Sequence, residues 1–108
     1  MITLKLRLAR NGRYRGYEVF GHADSEVKSG EYDLVCAAVS GMTLTCALGL
    51  QDILHLDGRY DSLNGFMNVD LMDQMNDQSD LLIKTMVHGL ETIREKYPGT
   101  LRLIEIKG

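Results

Sequence analysis

Residues 33–53 read DLVCAAVSGMTLTCALGLQDI, and this stretch decides the fold. Val35, Val39, Met42, Cys46, Leu50 and Ile53 recur at spacings of three and four, the period of a helix with one apolar face. The pattern starts at Leu34 and stops at Asp57-Gly58, which predicts a helix of about six turns. Asp33 stands directly before it, a residue type that caps helix starts by accepting a bond from a first-turn N–H. Upstream, Ile2, Leu4, Leu6 and Leu8 alternate with polar residues, Asn11-Gly12 interrupts, and a second run follows from Arg13 to Phe20: a β-hairpin. Downstream, Asn64-Gly65 lies between Arg59 to Leu63 and Phe66 to Leu71, a second hairpin. Leu82, Met86, Leu90, Ile93 and Tyr97 then mark a second helix, ended by Pro98-Gly99, and Leu101 to Ile106 is a closing strand. The order is ββαββαβ. It predicts an α+β sandwich, a mostly antiparallel sheet with two long helices covering one or both faces.

The remaining composition narrows the class. A chain of 108 residues is the size of one domain, and 44% hydrophobic with 25% charged residues excludes a disordered tail or a coiled-coil rod. Lys and Arg number 12 against 15 Asp and Glu, a net charge of −3 with no basic run, which disfavours direct nucleic-acid binding. The start of the chain alternates apolar and polar and lacks a signal-peptide stretch, and no later stretch approaches the roughly 18 apolar residues of a membrane span. The expectation is a cytoplasmic protein without membrane contact. Cys36 and Cys46, ten positions apart on one helix, stand about 15 Å apart along its axis, too far for a disulfide. No Cys–His spacing resembles a zinc site, so neither metal nor cofactor is expected.

Several residues nevertheless suit chemistry. Cys36 falls in the first turn of the first helix as read from Leu34, where the partial positive charge of the helix end stabilises a thiolate. Asp33 opposes this in part unless its carboxylate is engaged as a cap or orients a base. His22, directly after the second strand, can be brought to Cys36 as the proton acceptor a thiol nucleophile needs. Ser40, one turn beyond Cys36, and the backbone N–H groups at the helix start can stabilise an oxyanion. The polar loop from Ala23 to Tyr32 would arch over the pair as a lid, with Gly30 as hinge. Against this stands the plain reading, in which Cys36 is a core cysteine and His22 a solvated strand end. Cys46, mid-helix beside Thr45 and Ala47, reads as core.

Gly21-His22-Ala23, a polar loop containing Gly30, and the run Asp33-Leu34-Val35-Cys36-Ala37-Ala38-Val39-Ser40 together resemble the Prp family of ribosomal-processing cysteine proteases. The run from Asp33 to Ser40 is specific, and the alternation of hairpins and helices is similar over nearly the whole chain. The resemblance implies a Cys-His peptidase in which Cys36 is the nucleophile and His22 the base, with Asp33 and Ser40 in supporting roles. It further implies removal of an N-terminal extension from the large-subunit ribosomal protein numbered twenty-seven, and a homodimer with a loop over the cleft. Leu34 departs from the family pattern, where isoleucine is usual. Two other classes compete: a non-enzymatic ribosome-assembly factor with an inert cysteine, and a thiol redox sensor, which Cys46 is too distant to serve.

Overall fold

The structure is a computed structural model that describes residues 1–21, 29–63 and 65–107, with the backbone course alone for 29 and 31–33. Its elements run β1 (Ile2–Leu8), β2 (Tyr14–Gly21), α1 (Ser29–Leu48), a π-helical turn (Gly49–Ile53), β3 (Arg59–Leu63), β4 (Phe66–Asp70), α2 (Asp77–Lys96) and β5 (Leu101–Lys107). This is the ββαββαβ order and the α+β class. The five strands lie in the order β3-β4-β2-β1-β5, with three antiparallel pairs and one parallel pair, β1 with β5. A parallel neighbour cannot be reached by a tight turn, so α2 carries the chain from β4 past β2 and β1 to set β5 at the far edge.

Each hairpin forms where an Asn-Gly pair stands. In the first, the Ala9 N–H donates to the Arg13 carbonyl at 2.8 Å, and Gly12 takes φ +85°, which glycine adopts without strain. In the second, Leu63 pairs with Phe66 across residues 64 and 65, and Gly65 takes φ +77°; Asn64 lies outside the described residues. Asn76 caps α2 reciprocally: its side chain accepts from the Ser79 N–H at 2.8 Å while its own N–H donates to the Ser79 hydroxyl at 2.9 Å.

The two helices lie over one face of the sheet. Ile2, Leu4 and Leu6 of β1, Tyr17 of β2, Val69 of β4 and Leu101 of β5 alternate onto that face and are buried. Val35, Val39 and Leu50 meet them from α1 and the turn after it, and Ile83, Met86 and Leu90 from α2. The Tyr17 hydroxyl, fully buried, donates to the Thr43 carbonyl at 2.7 Å, so a polar atom in the core is satisfied and α1 is pinned to β2. The opposite face is polar: the Arg7 guanidinium donates to Glu18 at 2.7 Å and to the Val69 carbonyl at 3.0 Å, tying three neighbouring strands.

The first helix departs from its sequence reading at both ends. Its backbone is helical from Ser29, five residues before Leu34, so Asp33 stands inside the helix and is not its N-cap. Apolar periodicity does not register a first turn made of Ser29, Gly30, Glu31 and Tyr32, although one acidic residue in that turn suits the positive helix end. At the other end the helix widens: the Leu54 N–H reaches the Gly49 carbonyl, five residues back, at 2.9 Å, and the turn closes before His55, which takes φ +52°. A further correction concerns apolarity. Leu34–Ile53 is long and apolar enough to cross a membrane by length and composition, contrary to the expectation that no stretch approaches that limit. The helix is apolar beyond its core-facing side, with Leu34, Leu44 and Leu48 exposed.

Asp70, where β4 ends beside β2, makes acid stability testable. Burial by itself would raise its carboxyl, but the Met72 N–H and the guanidiniums of Arg15 and Arg7 outweigh burial and hold it below the usual value. A depressed carboxyl stabilises the fold above its unfolded value, about 3.9, and that contribution is lost as pH falls through the folded value. Asp70→Asn is expected to cost about 1–2 kcal/mol at neutral pH and to flatten the decline of the urea midpoint below about pH 4. An unchanged acid limb would show that Asp70 is not a source of it.

Candidate active site

One flank of α1 presents Cys36, Ser40, Thr43 and Leu44, residues that successive helical turns stack along a single line. They form one wall of a cavity of about 230 Å³. The facing wall comes from strand ends: Val19, Phe20 and Gly21 close β2, while Leu63 and Phe66 flank the turn of the second hairpin. Val19 and Met67, on the core-facing side of their strands, are the partly buried apolar residues of this wall, while Phe20, Leu63 and Phe66 border it from strand ends where alternation turns their side chains toward the Glu18 and Asn68 face, Leu63 being 76% and Phe66 36% exposed. An apolar wall beside a thiol gains by covering itself with apolar parts of a ligand.

The two cysteines have separate surroundings. Both are free; Cys36 is half-buried and opens into the cavity, and Cys46 is buried. Burial pushes the Cys46 thiol up to about 11, only partly offset by the neighbouring Tyr17 hydroxyl. Thiolate is the reactive form, so Cys46 is held unreactive by its position, as its mid-helix sequence reading expects.

The other predicted site residues distribute unevenly. Ser40 stands one turn after Cys36 in the same cavity, exposed. Gly30 lies in the first turn of α1 and not in a loop, and among the described residues a Cβ added there meets nothing within 4 Å. His22, the residues of the lid before Ser29, and the Asp33 side chain lie outside the described residues. The expected position of Cys36 needs correction: it is the eighth residue of α1, about 10 Å along the axis from the start. The partial charge of a helix end acts within about one turn, and backbone N–H groups this far in are already bonded to carbonyls four residues back. Neither the helix end nor its free amides reach the Cys36 sulfur, which leaves the Ser40 hydroxyl as the candidate oxyanion donor on α1.

Sequence reading missed the facing wall and the role of Gly21. Gly21 takes φ +148°, and a Cβ there would stand 2.3 Å from the Met1 carbonyl oxygen, so glycine alone fits where β2 leaves the sheet against the chain start. Phe20 and Phe66 pair in register across β2 and β4. A local signal existed in the apolar residues beside the Asn64-Gly65 turn, but nothing in the sequence placed that turn opposite Cys36.

The sequence profile described as "Cysteine protease Prp" matches residues 1–102. The chain belongs to the Prp cysteine protease family. A ribosomal processing cysteine protease Prp of Staphylococcus aureus is 32% identical over 108 residues, covering 95% of this chain and 97% of that one. A crystal structure of the essential ribosomal processing protease Prp from S. aureus with a substrate peptide superposes with a TM-score of 0.86 at 25% identity, covering 98% and 100% of the two chains. Another, with a covalently linked product peptide, gives 0.75 at 28% identity, with the same coverage. A Streptococcus mutans protein shares the fold, with a TM-score of 0.79 at 24% identity over 100% of this chain and 96% of that one. As a Prp family member the chain is a peptide hydrolase of the cysteine protease class, and ribosomal processing is the setting of its relatives.

Proposed function

We propose that this protease removes the N-terminal extension of the large-subunit ribosomal protein numbered twenty-seven, with Cys36 as nucleophile and His22 as base. The observation that carries the reading is the position of the Cys36 thiol in a cavity whose opposite wall ends at Gly21. In the reaction, the Cys36 sulfur bonds to the scissile carbonyl carbon while its proton passes to His22. Collapse breaks the C–N bond as His22 returns that proton to the departing amine. Water, deprotonated by His22, then displaces the sulfur, releasing the carboxylic acid and the free thiol. Ser40 donates to the oxyanion, and Asp33 orients or supports the His22 ring. The polar segment that precedes Ser29 closes over the bound peptide, with the start of α1 as its fixed end.

Val19 and Met67, the apolar residues of the facing wall, support a peptide with apolar side chains beside the scissile bond, held extended along the groove. Capture of the S. aureus relative with a substrate peptide, and with a covalently linked product peptide, supports a peptide substrate and a covalent course. Free thiols at both cysteines suit a reducing cytoplasm, where the reading sets the protein as a homodimer. Incubation with a synthetic peptide spanning the extension and the first mature residues is expected to give a single cut, read by mass spectrometry. His22→Ala is expected to lower the rate about 10²–10⁴-fold, the contribution of a positioned acid-base group, with unchanged circular dichroism. Cleavage by the histidine variant at the wild-type rate would reject His22 as the base.

A further inference from the structure

The sheet face turned away from the helices carries an apolar row beside charged and amide side chains. Leu63 pairs with Phe66, and Phe66 with Phe20, in register across β3, β4 and β2, so the three side chains stand on the same face. Phe20 in turn pairs with Thr3, which alternates with the helix-facing Ile2 and Leu4 and so fixes which face this is. The next row along the strands is polar, with Asp61, Asn68, Glu18 and Lys5 in register. Leu63 and Phe66 are exposed, while Lys5 Nζ lies 5.5 Å from the Phe20 ring centroid and caps that end of the row. We propose that this row is a second binding site for the peptide substrate, taking apolar side chains that lie outside the Cys36 cavity and away from the scissile bond.

Continuity with the Cys36 cavity argues for the substrate as the occupant. Ser62, Leu63 and Phe66 border two hollows: the cavity of about 230 Å³ that holds Cys36, and a shallow one of about 630 Å³ on the open face, which Glu18, Asp61 and Asn68 also line. The hairpin of β3 and β4 is thus the rim between them. A peptide seated at Cys36 and longer than its cavity can cross this rim onto the row. Neighbouring strands stand about 4.8 Å apart, so the row from Leu63 to Phe20 runs about 10 Å, the span of about three extended residues. Extended chain turns side chains i and i+2 to one side, so the row takes two apolar side chains separated by one residue. Three side chains fall far short of the roughly 20 residues a side that a stable protein interface engages, which argues against a second copy.

A small apolar site of this kind is an adjunct. Once the scissile segment is held at Cys36, the row meets its own segment at the high effective concentration that a short tether gives, and adds affinity that it could not supply alone. Its contacts are the same before and during the cut, so they lower KM and leave kcat as it is. The proposal rests on the peptidase reading for its choice of peptide, but binding tests it separately from proteolysis.

Fluorescence anisotropy of labelled peptides on the Cys36→Ala chain supplies that test. The long probe is a synthetic peptide spanning the extension and the first mature residues, and the short probe keeps about four residues on either side of the cut, a length that fills the cavity alone. The long probe is expected to bind about tenfold or more tighter than the short one, and Leu63→Asp or Phe66→Ser, added to Cys36→Ala, to abolish the difference. Should Phe66→Ser disturb the sheet, Leu63→Asp, at an exposed position of the edge strand β3, carries the test by itself. Leu81→Asp, at an exposed leucine of α2, is expected to leave the difference intact. Equal binding of the two probes, a Leu63→Asp chain that keeps the difference, or the same loss with Leu81→Asp would overturn the proposal. So would a Leu63→Asp chain that sediments as single copies where its parent sediments as two, which would make a second copy the occupant. If the probes bind as expected and the wild type cuts neither, the peptidase reading fails while this site stands.

Discussion

Cys36→Ala will abolish cleavage of the extension peptide, with a loss on the order of 10⁴-fold or more, as removal of a nucleophile does in a hydrolase whose catalytic groups act as a unit. The change removes one sulfur from a half-buried position at the cavity, so the cost in stability should stay below about 1 kcal/mol and thermal melting should shift little. Chemical labelling supplies a second readout. With its thiol pushed up to about 11, Cys46 is ionised to about one part in 10⁴ at pH 7, and it is also buried, whereas Cys36 opens to the cavity. Iodoacetamide should therefore modify Cys36 well before Cys46, and cleavage should fall in proportion to that modification. An alanine variant that still cuts would remove Cys36 from the mechanism. A Cys36 that labels no faster than Cys46 would favour the binding-factor reading, in which the thiol is inert.

The largest expected effect on folding belongs to Gly16→Ala. Gly16 sits in β2 between Arg7 of β1 and Asp70 of β4, and an added Cβ would stand 1.9 Å from the Val69 carbonyl oxygen and 2.9 Å from its carbon. Both obstacles are backbone of a paired strand, so relief requires the sheet to part where Arg7, Glu18 and Val69 are tied. A loss of about 4 kcal/mol or more is expected, enough to consume much of the stability of a domain this size. Gly30→Ala is the control: it lies in α1, where no described residue comes within 4 Å of its Cβ position, and alanine there should be neutral or add up to about 1 kcal/mol. Denaturant unfolding of the two variants separates steric exclusion in the sheet from the general preference for alanine over glycine. Similar midpoints would mean that β2 and β4 can separate at Gly16 without cost.

Much of this architecture was legible along the chain. Alternation in Ile2, Leu4 and Leu6 named the buried face of β1, and Asn11-Gly12 and Asn64-Gly65 marked the two hairpins. The spacing of Val35, Val39, Cys46 and Leu50 named the core side of α1 and so separated Cys46, on it, from Cys36, which falls one position after Val35. The start of α1 was not legible, because Ser29, Gly30 and Glu31 carry no apolar beat, and the misplaced start put Cys36 in a first turn that it does not occupy.

What the chain determined by itself was a set of local periods: which segments turn helical, which extend, and which side of each is apolar. The order β3-β4-β2-β1-β5 was decided by the tertiary structure alone, and with it the placing of the end of β2 and the turn between β3 and β4 opposite Cys36. A period of two or of 3.6 records the direction a side chain takes from its own backbone, a property of neighbouring peptide units. Which strand lies beside which depends on contacts between residues far apart in sequence, chosen by how completely the apolar faces can be covered together.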